Sequence, residues 1–185
     1  METSPDPQWR DDPKAALDPH KAHIVGVSFS IAACDAVYIP VHHIYGRNSC
    51  ELDIFTVLCA LVANPSVTKV AHNPAFEAAF LYALGIVIQP PVYDTIAAAQ
   101  LTLKGQYRLR SLSDSGLKTL MPELFYVELP TFDEVTAGQR FDELDPDDPA
   151  TVAYACADAD YAFRLREFFN DWFARFMPKH RCIVE

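Results

Sequence analysis

A chain of 185 residues, half of them hydrophobic and 12% aromatic, has the length and composition of one globular domain with a sizeable core. Its formal charge of −10 argues against a protein that grips nucleic acid by broad phosphate neutralisation, but not against one that holds a few nucleotides through bound cations. No apolar run reaches membrane-spanning length, and METSPDPQWRDDPK lacks a basic-then-apolar signal pattern, so a cytoplasmic protein is the default expectation. Cys34, Cys50, Cys59, Cys156 and Cys182 show no CxxC spacing, so neither a zinc site nor a disulfide framework is indicated.

Residues 1–20 hold four prolines and several aspartates with little periodicity, and read as loop. Residues 23–31 (HIVGVSFSI) and 36–41 (AVYIPV) are rich in β-branched and aromatic residues and flank a short turn, which predicts a hairpin. Residues 49–64 carry apolar side chains at 54, 57, 58 and 61, the spacing of an amphipathic helix, with Ser49 as its N-cap. A short strand over 68–72 (TKVAH) leads into a helix opened by Asn73 and Pro74 and running to Ala83, with Gly85 as its C-terminal cap. Residues 86–93 contain Pro90 and Pro91 and read as an edge strand. Asp94 caps a helix beginning TIAAAQL, and 112–121 reads as a further helix. The acidic stretch 122–147 reads as a long loop with short elements. Asp148 and Pro149 start a final helix that runs to about Phe176. Strands come first and then alternate with helices, the order of a mixed α/β domain.

Two carboxylates need an explanation. On the last helix Tyr154, Asp158, Tyr161, Ala162 and Leu165 share one face, so Asp158 falls in the core-facing stripe, while Asp160 falls on a solvated face within reach of Arg164. An isolated buried carboxylate is costly unless hydrogen-bonded, paired or bound to metal. Glu77 sits in the first turn of its helix, where a solvated side chain favouring the helix dipole is the ordinary reading.

Taken together the two stretches resemble a known family. Asn73-Pro-Ala-Phe76-Glu77 resembles the second motif, Asn-x-x-Phe/Tyr-Asp, of the DnaQ-like 3′–5′ exonucleases. Tyr154-Ala-Cys-Ala-Asp158 matches the third, Tyr-x-x-x-Asp, in the YAxxDAD form of the proofreading domain of family A (DNA polymerase I type) DNA polymerases. LDPHKAHIVGVSFSI with AVYIPV, and PPVYDTIAAAQLTL, resemble that domain's first hairpin and the segment between its later motifs. The resemblance implies an RNase H-like mixed sheet flanked by helices, and 3′–5′ exonuclease activity on DNA 3′ ends. It implies two divalent cations, Mg²⁺ or Mn²⁺, held by acids. It makes Glu77 and Asp158 metal ligands, Tyr154 the residue that orients the attacking water, and Asn73 and Phe76 supports of the site or contacts of the terminal nucleotide. The implied partner is a single-stranded DNA 3′ end, with a polymerase domain supplied elsewhere.

The first motif, Asp-x-Glu, departs from the pattern. Met1-Glu2-Thr3-Ser4 aligns Glu2 with the motif glutamate and leaves no residue for the aspartate; aligning Asp11 with the aspartate puts Pro13 at the glutamate. The first alignment is preferred, because Glu-Thr-Ser reproduces the motif's continuation, and it makes Glu2 a metal ligand. The first strand is then incomplete. Residues 1–16 are expected to be an insertion that packs loosely, 17–176 the exonuclease-like domain, and 177–185 (MPKHRCIVE) a connector resembling a linker to a polymerase domain. The edge of strand 23–31 should be unpaired. A second reading is a catalytically impaired exonuclease-like domain that binds nucleic acid or only scaffolds.

Overall fold

The computed structural model describes residues 1–12, 14–103 and 115–176. Among the described residues, five strands and six α-helices follow one another in a mixed order, with β1 at Glu2–Pro5, β2 at Ala22–Ala32, β3 at Asp35–Pro40, β4 at Lys69–Ala71 and β5 at Val92–Asp94. The helices are α1 (Glu51–Ala63), α2 (Pro74–Ala83), α3 (Thr95–Leu103), α4 (Leu117–Phe125), α5 (Phe132–Thr136) and α6 (Pro149–Phe176). Among the described residues the strands form two separate sheets: an antiparallel one in the order β1-β2-β3, and a parallel pair, β4-β5.

Strand β2 organises the molecule. Ile24 and Val27 face a core shared with Leu58 and Val62 of α1 and Phe80 and Leu81 of α2. Val25 faces the other way, against Tyr38, Phe141, Leu144 and Ala155. Strict alternation would put Ile24 and Val27 on opposite faces. The pairing of β1 shifts register here, from Glu2↔Gly26 to Thr3↔Ile24, so the bulge at Val25 accounts for the inversion. A third cluster joins Ala98, Ala99 and Leu103 of α3, Leu120 and Met121 of α4, and Leu165, Phe169 and Phe173 of α6. The long helix α6 is thus the common wall of two cores.

Local chemistry explains most boundaries. Asp94 accepts the N–H of Ile96 (2.9 Å) at the start of α3, and Asp148 accepts those of Ala150 and Thr151 (3.1 Å each) at the start of α6. Gly85 follows α2 with φ of 77°; its N–H donates to the Tyr82 carbonyl and that of Ile86 to the Leu81 carbonyl, the paired bonds of a Schellman ending. Ser49 does not cap α1: its N–H donates to the Pro40 carbonyl, and Cys50 takes the cap position without a side-chain bond. Residues 86–91 are not a strand, and pairing starts only at Val92. Helix α4 starts at Leu117; the predicted start at 112 lies outside the described residues, as does 177–185.

The expectation of loose packing over residues 1–16 is corrected. Glu2–Pro5 forms ladder pairs with Ala22–Gly26, Ser4 is buried, and its hydroxyl donates to Asp142 Oδ1 at 2.7 Å. The Thr3 hydroxyl donates to the Ala16 carbonyl at 2.6 Å, and Ala15 is fully buried. Two 3-10 turns, Pro7–Trp9 and Ala15–Leu17, fold the segment back along β1, and the Lys21 ammonium ties it down between Asp12 (2.9 Å) and the face of the Trp9 ring. Four residues suffice for a ladder because the returning turns cover it. The expectation of an open edge holds for the rest of β2: residues 27–32 have β3 on one side and no described strand on the other.

Candidate active site

Glu2 opens β1, Glu77 lies in the first turn of α2, and Asp158 sits nine residues into α6. Helix α2 begins directly after β4, and Asn73 makes the corner in the left-handed region, at φ 71°. Asparagine tolerates that conformation better than most residues. Its N–H points at the Asp94 carboxylate, 3.4 Å away. The corner swings Glu77 back toward Met1, with which it lines a cavity that also contains Val27, Ala71 and Leu81. Asp158 lines an adjoining cavity with Met1, Ser28, Ala71 and His72.

The Glu2 and Glu77 carboxyls each feel the charge of Asp158. Burial pushes the Glu2 carboxyl up from an ordinary 4.5 to about 7; the Met1 ammonium opposes the rise, and Asp158 and Glu77 add to it. Burial also raises Glu77, again opposed by the Met1 ammonium and reinforced by Asp158 and Asp94. Glu77 Oε2 is buried and has no hydrogen-bond partner. A buried carboxylate oxygen without a partner is the donor chemistry that a hard divalent cation satisfies. The gathering is incomplete, however: no three His, Cys, Asp or Glu side chains among the described residues stand close enough together to hold a metal ion.

Tyr154 lies one turn before Asp158. Its hydroxyl is raised above the ordinary phenol range, first by burial and then by Glu2 and Asp158, so it belongs to the same neighbourhood. Its ring packs on Phe141 and Phe132, with the Lys118 ammonium 5.6 Å from the ring centroid. Asn73 is exposed beside the site. Phe76 is half-buried with its ring against Phe80, 5.0 Å between centroids, so its packing is with the core. Asp11, the alternative first-motif residue, is exposed on the returning segment.

The two aspartates of α6 exchange their expected burial. Asp158 is exposed and Asp160 is buried. The helical register itself is sound, since Thr151, Ala155, Ala162 and Leu165 are buried around the angle of Asp158. Asp158 is exposed because the cavity in front of it is open. Asp160 is buried because the β2–β3 turn covers the opposite side of the helix: it accepts the Cys34 N–H at 2.7 Å and pairs with Arg164 at 2.6 Å.

Sequence reading passed over His72. It directly follows β4, lines the Asp158 cavity, and bonds the Thr95 hydroxyl at 2.8 Å; burial lowers its ring, while Asp158 and Asp94 pull it back up. The signal available was its place directly before Asn73, at the end of a strand.

Comparison with known proteins identifies the family and the fold. A 3′–5′ exonuclease family model matches residues 14–172. The match begins after Glu2 and does not bear on that residue. The chain is 34% identical over 158 residues to the DNA polymerase I of Chloroflexus aurantiacus, a match that covers 82% of this chain and 16% of that protein. Solved structures share the fold: a nuclease in its apo form (TM-score 0.66, 22% identity, 91% of this chain and 72% of that one) and Brucella melitensis NrnC with bound Mg²⁺ (TM-score 0.64, 22% identity, 91% and 74%). The architecture is RNase H-like, with a first strand of only four residues. By the extent of the family match, the chain belongs to the 3′–5′ exonucleases of the DNA polymerase I type.

Proposed function

We propose that this exonuclease is metal-dependent and removes nucleoside monophosphates from single-stranded DNA 3′ ends, as a proofreading-type activity in replication or repair. The observation that supports the reading is the buried Glu77 Oε2 left without a hydrogen-bond partner, on a residue whose carboxyl, like that of Glu2, is influenced by Asp158. Glu2, Glu77 and Asp158 would hold two divalent cations, Mg²⁺ or Mn²⁺. Bound there, the cations supply Lewis-acid stabilisation of the phosphate and a lowered pKa for water.

The protein's own groups do the rest. Burial raises the Glu2 and Glu77 carboxyls, so a cation held there would favour their charged forms and its binding would release protons. The Tyr154 hydroxyl stays protonated at neutral pH and donates a hydrogen bond that orients the attacking water. His72, held neutral by burial, sets the wall behind Asp158. Asn73 faces solvent at the mouth, where a terminal nucleotide would lie. A chain of charge −10 has little else with which to attract phosphate, so affinity for DNA should follow cation concentration. A polymerase domain supplied elsewhere would deliver the strand, and the cytoplasm is the compartment in which these steps meet.

The incomplete gathering of acids favours a second reading, an exonuclease-like domain that binds nucleic acid without cutting it. Single-stranded DNA labelled at its 5′ end, incubated with Mg²⁺ or Mn²⁺ and with EDTA, separates the two. A ladder shortening from the 3′ end only with metal supports the proposal. DNA binding without shortening under any metal supports the second reading and overturns it.

A further inference from the structure

A positive charge stands beside the acids with nothing of the protein to match it. Lys118 lies in the first turn of α4, whose Leu117, Leu120 and Met121 are buried, while Lys118 itself is exposed. Its neighbour Leu117 lines the Asp158 cavity together with Met1 and His72. The Lys118 ammonium sits over the ring of Tyr154, 5.6 Å from the centroid. Two acids on either side feel its charge. Against the burial that raises the Glu2 carboxyl, Lys118 acts to lower it; Glu134 of α5, lowered first by its bonds to Thr131, is lowered further by Lys118.

Other cations of the domain are committed. Lys21 is held by Asp12, Arg140 by Asp142 and Glu143, and Arg164 by Asp160. Lys118 makes no hydrogen bond or ion pair with a described residue, and its contact with the Tyr154 ring is of the weak, exposed kind. A lysine ammonium is a point charge with three rotatable donors on a flexible stem, which suits a phosphate whose exact place varies.

A strand entering this site brings several phosphates to a chain of charge −10. The scissile phosphate belongs to the cations that Glu2, Glu77 and Asp158 would hold. The free ammonium beside them is left for the next phosphate of the strand. We propose that Lys118 anchors the substrate by binding the phosphate immediately 5′ to the scissile one, while its stem lies against the Tyr154 ring. This deepens the nuclease reading and rests on it for the direction in which the strand lies.

The test is binding of a 5′-labelled single-stranded oligodeoxynucleotide to the full chain, followed by fluorescence anisotropy in Ca²⁺ over a range of KCl concentrations. Lys118→Met keeps most of the stem and loses the charge. It should weaken binding about fivefold at low salt. It should also lower the slope of log affinity against log salt by about 0.7, the value for one single-strand phosphate. Lys118→Arg should restore both. An oligonucleotide with one neutral methylphosphonate at the linkage 5′ to the scissile one should cost the parent the same factor, and Lys118→Met nothing further. A slope that Lys118→Met leaves unchanged overturns the proposal, and so do losses from the variant and the methylphosphonate that multiply. A parent that binds no oligonucleotide overturns it as well. In Mg²⁺ the loss should appear in KM rather than in kcat. The nuclease reading fails in a different way, with a parent that binds the oligonucleotide and shortens it under no metal. The salt slope and the methylphosphonate then still decide whether Lys118 is the anchor.

Discussion

Asp158 and Asp160 are two residues apart on one helix and have opposite surroundings. Asp160 is held between the Cys34 N–H and the Arg164 guanidinium, so its charge is matched inside the protein. Asp158 faces an open cavity beside two other acids and a histidine, with no cation of the protein bonded to it among the described residues. The difference separates a carboxylate that completes the fold from one that waits for something outside it. Burial is a poor guide to which is which: the buried one is structural, and the exposed one is the candidate ligand.

The largest effect that tests this contrast is on turnover. Asp158→Asn should lower Mg²⁺-dependent cleavage by more than about 100-fold, since losing even an indirect partner of a metal ligand costs 10- to 100-fold. Its melting temperature without metal should hold or rise, because the variant relieves repulsion with Glu2 and Glu77. A variant that melts well below the parent would mean that Asp158 has an internal partner after all.

The next effect is a pH dependence. Glu2 is about 7 in the folded protein against an ordinary 4.5, so the folded state binds the extra proton between those values. The contribution of Glu2 to the stability of the metal-free protein is therefore full below about pH 4.5 and is lost as pH rises toward 7, by roughly 3 kcal/mol at most. Glu77 shifts in the same direction. Thermal melts from pH 5 to 8 should show this decline, Glu2→Gln should flatten it, and millimolar Mg²⁺ should restore the parent at pH 8. A parent curve that rises over this window would remove Glu2 from the acidic group.

Asp160→Ala should behave in the reverse sense to Asp158→Asn. It leaves Arg164 and the Cys34 N–H without their acceptor, a loss of roughly 2 kcal/mol after allowing for the partial exposure of the pair. In a chain of this size that lowers the melting temperature by about 4–8 °C, with cleavage at 25 °C within a fewfold of the parent. Asp160→Asn should lose less, because its amide oxygen still accepts the Cys34 N–H.

Much of this was legible in the sequence, and what was not has physical reasons. The capping of α3 and α6 by Asp94 and Asp148, and the Schellman ending at Gly85, are local: a few side chains and backbone groups decide them, and they read correctly. The resemblance of two motifs to a known family singles out Glu77, Asp158 and Tyr154 as candidates. Burial of Asp158 and Asp160 was not legible, because it depends on the turn at Cys34, 126 residues away, and on the cavity in front of Asp158. The docking of residues 1–16 escaped for a similar reason. It is held by bonds to Asp142 and to the returning turns, which no periodicity within METSPDPQWRDDPK announces.

The smallest effect concerns that docking. Asp142 is a third kind of acid: buried at 3% exposure, it accepts the Ser4 hydroxyl at 2.7 Å and the Arg140 Nε–H at 3.1 Å. Ser4→Ala removes one of the two bonds and leaves the charge paired with Arg140, so the loss should be about 1 kcal/mol, or 2–4 °C in melting temperature. Ser4 is two residues from Glu2 on the same short strand. The ladder to β2 and the Thr3 bond to Ala16 remain, so Glu2 should keep its place, and Mg²⁺-dependent cleavage should stay within about twofold of the parent. Measuring both quantities on the one variant decides how β1 is held. A melting loss alone fits a strand tethered at several points. A tenfold fall in cleavage would mean that the Ser4–Asp142 bond alone sets the position of Glu2, and that β1 is docked far less firmly than its ladder indicates.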